Sequence, residues 1–345
     1  MSVITYEGVD VVGQQGVSVL ESLEAEGFRI PFSCRSGVCQ SCLLQTKDAV
    51  PSESQAGLRD QQIMQGYFLS CSCYPKNDLL VNAKQHSDLM TARVVDKKIL
   101  NKTLIAKSDA MSDISGDVTG DIENIQPSTM IVALFIEVDF TWFAGQYINV
   151  WFDEHTARPY SIANRCDDKK VMELHVKRHE LGEVSRWLCN DLTIGDSIKV
   201  SQPMGDCFYT DSYQSSPLLL VATGTGLAPL HGVLQEALYR QHTEAIHLYV
   251  AASEPKNLYY QQELQCLARQ FENVVVHTVV KQHAEKGQLE GDVVDIVKQQ
   301  HVEMNGYKIF LCGSPVMVKT LQRACFFQGA ALSDILTDAF EVAAK

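Results

Sequence analysis

The densest chemical signal in the chain is the run Cys34-Arg-Ser-Gly-Val-Cys39-Gln-Ser-Cys42, followed well downstream by Cys71. Thiolates spaced by four and then two residues in a glycine-containing loop can wrap one compact inorganic cluster, with a distant fourth thiolate completing it. This spacing suits [2Fe–2S]. The small residues Ser36, Gly37 and Ser41 let backbone N–H groups approach the sulfides, and such hydrogen bonds tune a reduction potential. A four-cysteine zinc site is the alternative, but zinc sites usually pair two short C-x2-C knuckles and this segment has one. Cys73 lies two residues beyond Cys71. In a strand their side chains would share a face, so either could be the fourth ligand.

Three further groups point to flat, phosphorylated cofactors. The run LLLVATGTGLAP sets Thr223, Gly224, Thr225 and Gly226 at the end of a buried strand and before a helix. Glycines there let backbone approach a pyrophosphate, and a helix N-terminus favours its charge. The sixth position is Pro229, so this is not a full G-x-G-x-x-G. In Arg158-Pro159-Tyr160-Ser161 a guanidinium can grip a phosphate and an aromatic ring can stack on a cofactor. Lys177, with Gly182, Val184 and Ser185 at the next helix start, offers a second diphosphate site. Cys312-Gly313-Ser314-Pro315 closes another strand at the edge where ligands bind in parallel sheets.

The elements needed to position these groups are legible in outline. Short strands around a helix near Val19 to Glu26 occupy the first segment. Strand-like runs follow at Thr129 to Val138, Gln146 to Phe152, Val171 to Arg178 and Ser197 to Gln202, with one short helix at Glu183 to Asn190. Many strands with little helix predict an antiparallel barrel. From Ser216 buried strands alternate with helices, which predicts a parallel sheet with crossover helices. The stretch 108–128 is polar and acidic and reads as a solvated loop.

Composition narrows the function classes. Lys and Arg total 29 against 42 Asp and Glu, giving −13, which argues against a nucleic-acid binder. No apolar run is long enough to span a membrane, and the start shows no basic-then-apolar secretory signal. A cytoplasmic location is therefore expected. In that compartment eleven cysteines imply metal or redox work rather than disulfides.

Taken together and in this order, the motifs resemble the ferredoxin–NADP reductase superfamily fused to an N-terminal plant-type ferredoxin. They are most similar in pattern to the reductase components of bacterial multicomponent oxygenases, of the benzoate dioxygenase, phenol hydroxylase and methane monooxygenase type. The resemblance implies a β-grasp [2Fe–2S] domain over 1–89 and an antiparallel FAD-binding barrel over 90–212, with 108–128 inserted. An α/β NAD(P)-binding domain would fill 213–345. It also implies that Cys34, Cys39, Cys42 and Cys71 ligate the cluster, since GYFLSCSC resembles ferredoxins that use the first such cysteine. Arg158 would bind flavin phosphate, Tyr160 would pack on the isoalloxazine and Ser161 would hydrogen-bond near flavin N5. His175, Val176 and Lys177 would line the flavin, and Gly182, Val184 and Ser185 would cradle its pyrophosphate, favouring FAD over FMN. Thr223 to Gly226 would hold the nicotinamide nucleotide, Cys312 and Gly313 would sit beside the nicotinamide, and Phe340 would lie against the flavin.

The expected path runs from NAD(P)H through FAD and [2Fe–2S] to a partner oxygenase or other acceptor protein. Ser161 and Cys312 would position the reacting atoms. Glu254, after the strand IHLYVAA, suits a free 2′-hydroxyl and favours NADH, while Lys256 leaves NADPH open. The first segment carries ten acids against six bases, which suits docking on a basic face of the acceptor. Two other readings share the architecture: the reductase of a deoxysugar dehydrase, and a redox-responsive adaptor without turnover.

Overall fold

The computed structural model describes residues 2–32, 34–58, 62–63, 66–83, 89–101 and 130–340. The acidic stretch 108–128 lies outside the described residues.

The first sheet contains β1 (Ser2–Tyr6), β2 (Val9–Gly13), β3 (Leu43–Thr46), β4 (Tyr67–Leu69) and β5 (Leu79–Ala83) in the order β2-β1-β5-β3-β4. β1 and β5 run parallel and the other pairs antiparallel, the arrangement of a β-grasp. Along β1, Ile4 and Tyr6 alternate inward onto the helix Val19–Ala25, as the two-residue period requires. Ser18 and Glu21 start that helix with a reciprocal capping box, satisfying N–H groups that would otherwise be unpaired. Leu20, Leu23, Leu44, Phe68 and Leu69 fill the small core.

The second sheet is antiparallel throughout. It comprises β6 (Met90–Ile99), β7 (Ile131–Glu137), β8 (Tyr147–Trp151), β9 (Ala157–Ser161), β10 (Val171–Lys177) and β11 (Ser197–Val200), ordered β10-β7-β6-β11-β8-β9. A bridge between Ile162 and Leu174 joins the two edges, closing the sheet into a barrel and removing its open edges. Val132, Leu134, Ile136, Ile148, Leu174 and Val176 point into it.

The third sheet is parallel. It contains β12 (Leu218–Thr223), β13 (Ile246–Ala252), β14 (Val274–Val280), β15 (Leu289–Glu290), β16 (Lys308–Gly313) and β17 (Ile335–Ala339), ordered β15-β14-β13-β12-β16-β17. β12 is central and buried almost throughout, which is why LLLVAT reads as an unbroken apolar run. Helices Leu227–Tyr239, Gln261–Gln270, Val293–Gln300 and Pro315–Phe327 connect the strands. β17, absent from the sequence reading, adds a further edge strand beside β16.

Candidate cluster, flavin and nucleotide sites

The cluster loop is wound so that its amides face its sulfurs. Arg35, Gly37 and Gln40 adopt positive φ, at 53°, 77° and 55°, and the loop curls inward at each. The Cys39 and Ser36 amides donate to Cys34 Sγ at 3.3 and 3.4 Å, and the Cys34 amide donates to Cys39 Sγ at 3.4 Å. Arg35 anchors the loop by two bonds to Glu24, at 2.8 and 2.7 Å, and lies over the Phe32 ring. The Cys34 thiol is held far below its ordinary range, first by the hydrogen bond from Cys39 and further by the Ser36 and Cys39 amides. Cys71 is lowered by its bond to Cys42, with the Gly37 amide acting in the same direction.

The sulfurs therefore fall into two hydrogen-bonded pairs, Cys34 with Cys39 and Cys42 with Cys71. Among the described residues no group of three or more His, Cys, Asp or Glu is arranged to hold a single metal ion. Two sulfur pairs, with amide donors on Cys34, Cys39 and Cys71, fit a cluster of two irons better than one tetrahedral zinc. Cys71 and Cys73 do not share a strand face. The strand ends at Leu69, and Ser70–Ser72 form a 3-10 turn that rotates the two side chains apart. Cys73 is fully buried in the domain core, and burial pushes its thiol up to about 11.

On the barrel, β9 carries Arg158, Tyr160 and Ser161 opposite Val150, Ile148 and Tyr147 of β8. Tyr160 is half-buried with its ring against the barrel core. Arg158 uses Nη1 on the carbonyls of Phe32 and Ala157, at 3.1 and 2.8 Å. Lys177 ends β10, half-buried. Gly182 precedes the short helix Glu183–Arg186, and Ser185 folds back to donate to its carbonyl at 3.1 Å. A Cβ on Gly182 would stand 2.6 Å from Ser185 Oγ and 2.9 Å from His179 Cβ, so a larger residue here would displace the Ser185 side chain. Val184 packs into the barrel core. Val176 also points into the barrel, and the His175 ring turns away from it, so both could meet a flavin only through main chain.

The carboxyl end of the parallel sheet brings the nucleotide motifs together. Thr223 ends β12, and Gly224, Thr225 and Gly226 form a 3-10 turn leading into the helix at Leu227. A Cβ on Gly226 would fall 2.3 Å from the Cys312 carbonyl, and one on Gly313 would fall 2.4 Å from that of Thr223. The two glycine segments can cross only because neither carries a side chain. Cys312 is fully buried, and its sulfur lies 3.7 Å from Cys207 of the barrel segment, a contact the scattered spacing of these cysteines did not suggest. The half-buried Phe340 donates its amide to Gly313 at 2.7 Å, which puts it at the same edge. Glu254 stands apart on the surface, paired with Lys256 at 2.7 Å.

Two features at this junction escaped the sequence reading. Asp338 of β17, in register with Cys312, accepts a hydrogen bond from Ser161 at 2.7 Å, and burial pushes its carboxyl up to about 6. The closing DAFE carries this acid two residues before Phe340, but without β17 nothing placed it. The second is a buried network between barrel and parallel sheet. Glu173 lies 3.0 Å from His175 Nε2 and accepts from Tyr260 at 2.5 Å, while His175 Nδ1 lies 3.0 Å from the Tyr259 hydroxyl. Tyr260 adopts a left-handed φ of 60° to start its helix.

Comparison with known proteins identifies three domains in this chain. Models of a 2Fe-2S iron-sulfur cluster binding domain, an oxidoreductase FAD-binding domain and an oxidoreductase NAD-binding domain match residues 4–76, 119–209 and 220–323. The chain is 28% identical over 331 residues to the ferredoxin–NAD(P)+ reductase component of the naphthalene 1,2-dioxygenase system of Pseudomonas putida, covering 94% of each chain. It is 25% identical to the phenol hydroxylase P5 protein of Acinetobacter pittii, covering 98% of this chain and 93% of that one. The crystal structure of the Amycolatopsis cytochrome P450 reductase shares the fold over 99% of both chains, with TM-score 0.64 and 24% identity. The chain carries a 2Fe-2S iron-sulfur cluster binding domain, an oxidoreductase FAD-binding domain and an oxidoreductase NAD-binding domain, in that order. It is an NAD(P)H-dependent oxidoreductase whose cofactors are FAD and a [2Fe–2S] cluster. Among the described residues no helix is long and apolar enough to cross a membrane.

Proposed function

We propose that the chain is the reductase component of an oxygenase system, drawing electrons from NADH and delivering them singly to an oxygenase protein. The observation that carries this reading is the junction itself. Ser161 of the barrel, Cys312 and Asp338 of the parallel sheet, and Tyr147 facing the cluster loop all meet around one edge of β9. The relatives named above serve oxygenases or hydroxylases, and this chain is similar to them along nearly its whole length.

A nicotinamide gives two electrons at once and an iron–sulfur cluster takes one, so the flavin supplies the conversion between them. The protein's part is orientation. Residues 1–89 hold the cluster through Cys34, Cys39, Cys42 and Cys71. Residues 90–212 hold FAD through Arg158, Tyr160, Ser161, the main chain of His175 to Lys177, and the Gly182–Ser185 loop. Residues 213–345 hold the nucleotide through Thr223 to Gly226, with Cys312, Gly313 and Phe340 at its reactive end. Glu254 favours NADH by meeting the ribose hydroxyls and by occupying Lys256.

The test is reconstitution in the cytoplasmic fraction where the chain is expected. Purified protein should reduce cytochrome c with NADH, and should sustain substrate oxidation by an oxygenase component supplied with it. Reduction of cytochrome c without support of any oxygenase would confine the reading to a diaphorase.

A further inference from the structure

Two side chains of β8 reach from the flavin barrel to the cluster loop. Tyr147 and Asn149 stand two residues apart on β8 and so share a face. Tyr147 donates its hydroxyl to the Val38 carbonyl at 2.8 Å, and Asn149 Nδ2 donates to the Cys39 carbonyl at 3.1 Å. Asn149 Oδ1 accepts from the Ser41 hydroxyl at 3.2 Å, and that hydroxyl also lies 3.3 Å from Cys39 Sγ. The backbone amide of Asn149 donates to Ser201 at 2.9 Å, fixing the strand beneath the clamp. Asn149 and Ser41 are 3% and 4% exposed, so a buried amide uses both of its ends on one loop of another domain. A buried amide is retained only where such bonds are made, which gives the docking a defined geometry. Tyr147 is also the register partner of Ser161, the residue assigned to the flavin.

Resting on the function proposed above, we propose that Tyr147 and Asn149 are positioning residues for electron transfer from flavin to cluster, and that Asn149 also sets the cluster's potential through Ser41. The step moves one electron: the reduced flavin loses it, the oxidised cluster gains it, and no bond forms or breaks between them. Ser41 has one hydroxyl hydrogen and two acceptors within reach. Once Cys39 is a ligating thiolate, a bond from Ser41 would favour the more negative, reduced cluster and raise its potential. Asn149 Oδ1 competes for that hydrogen and holds the potential low.

The two side chains should therefore separate by readout. In the full chain loaded with FAD and cluster, Tyr147→Phe should slow cluster reduction after flavin reduction by about fivefold, the weight of one lost hydrogen bond. Its cluster potential should not move. Asn149→Ala should slow the same phase by about tenfold and raise the potential, and adding Ser41→Ala should cancel the rise. Stopped-flow absorbance under anaerobic conditions gives the rates, and an electron-paramagnetic-resonance titration gives the potentials. Wild-type transfer rates in a Tyr147→Phe protein with full flavin and iron would overturn the positioning role, whether or not Asn149→Ala keeps its cluster. A Ser41→Ala protein whose potential lies above the wild type's would overturn the role assigned to Asn149. Failure of the wild type to reduce its own flavin with NADH would instead count against the function on which the proposal rests.

Discussion

Ser161 of the barrel and Asp338 of the last strand are joined by a 2.7 Å hydrogen bond across 177 residues of sequence. The bond ties the residue assigned to the flavin's reacting edge to the strand that runs beside Cys312. Replacing Ser161 by Ala should slow flavin reduction by NADH on the order of a hundredfold while leaving FAD bound, as removal of one oriented polar group at a reacting centre does. Single-turnover flavin bleaching measures this, and an unchanged rate would refute it.

The raised Asp338 carboxyl has a consequence for stability. Its folded value of about 6 lies above the ordinary carboxylate range near 4, so the native state keeps a proton that the unfolded chain loses. Raising the pH from about 4 through 6 therefore costs stability, roughly 1–3 kcal/mol from this group, and the cost is constant above about pH 7. Asp338→Asn should lack that loss. Denaturant unfolding of both proteins at pH 4.5 and 7.5 should show the difference between them moving toward the variant at the higher pH.

The fourth ligand can be tested by a pair of substitutions. Cys71→Ser should abolish the visible absorbance of the cluster. Cys73→Ser should keep it and lower stability by roughly 1–3 kcal/mol, since a hydroxyl replaces a thiol in an apolar core. Iron content and thermal melting read the two effects separately, and a reversal of the pattern would make Cys73 the ligand.

The buried link between barrel and parallel sheet should be costly to break. Tyr260→Phe removes a donor from Glu173, whose carboxyl is pushed up by burial but brought below its usual range by His175 and Tyr260. The expected loss is roughly 1.5–3 kcal/mol, seen as a lowered melting temperature with cluster absorbance intact before unfolding begins. A melting temperature equal to that of the wild type would mean that the network contributes nothing.

Nucleotide preference should turn on the Glu254–Lys256 pair. Glu254→Gln releases Lys256 to meet a 2′-phosphate, and should shift the ratio of kcat/KM for NADH over NADPH toward NADPH by about tenfold. Steady-state kinetics with both nucleotides checks it.

Much of this architecture was legible because its signals are local. LLLVAT and IHLYVAA are buried along most of their length and read as apolar strands, VVVHTVV reads as one although Val275 is exposed, and the cysteine spacing is local because one loop carries three of the four expected ligands. The rest depends on long-range contact. β17, with the sequence ILTDA, is short and partly polar, and is recognisable only by its pairing with β16. Asp338 was lost with it. The Cys207–Cys312 contact and the Glu173–Tyr260 bond join residues 105 and 87 positions apart, with no pattern in either neighbourhood to announce them. The strand face expected to carry both Cys71 and Cys73 is missing for a local reason: a 3-10 turn interrupts what the sequence presents as a continuing strand.

The chain is expected to convert paired electrons into single ones. Anaerobic addition of NADH to the purified, cofactor-loaded protein, followed by absorbance and electron paramagnetic resonance, tests it most directly. With one FAD and about two iron atoms per chain, the flavin should bleach first and the signal of a reduced [2Fe–2S] cluster should follow. A flavin that bleaches while the cluster stays oxidised, or a protein that binds neither, would contradict it.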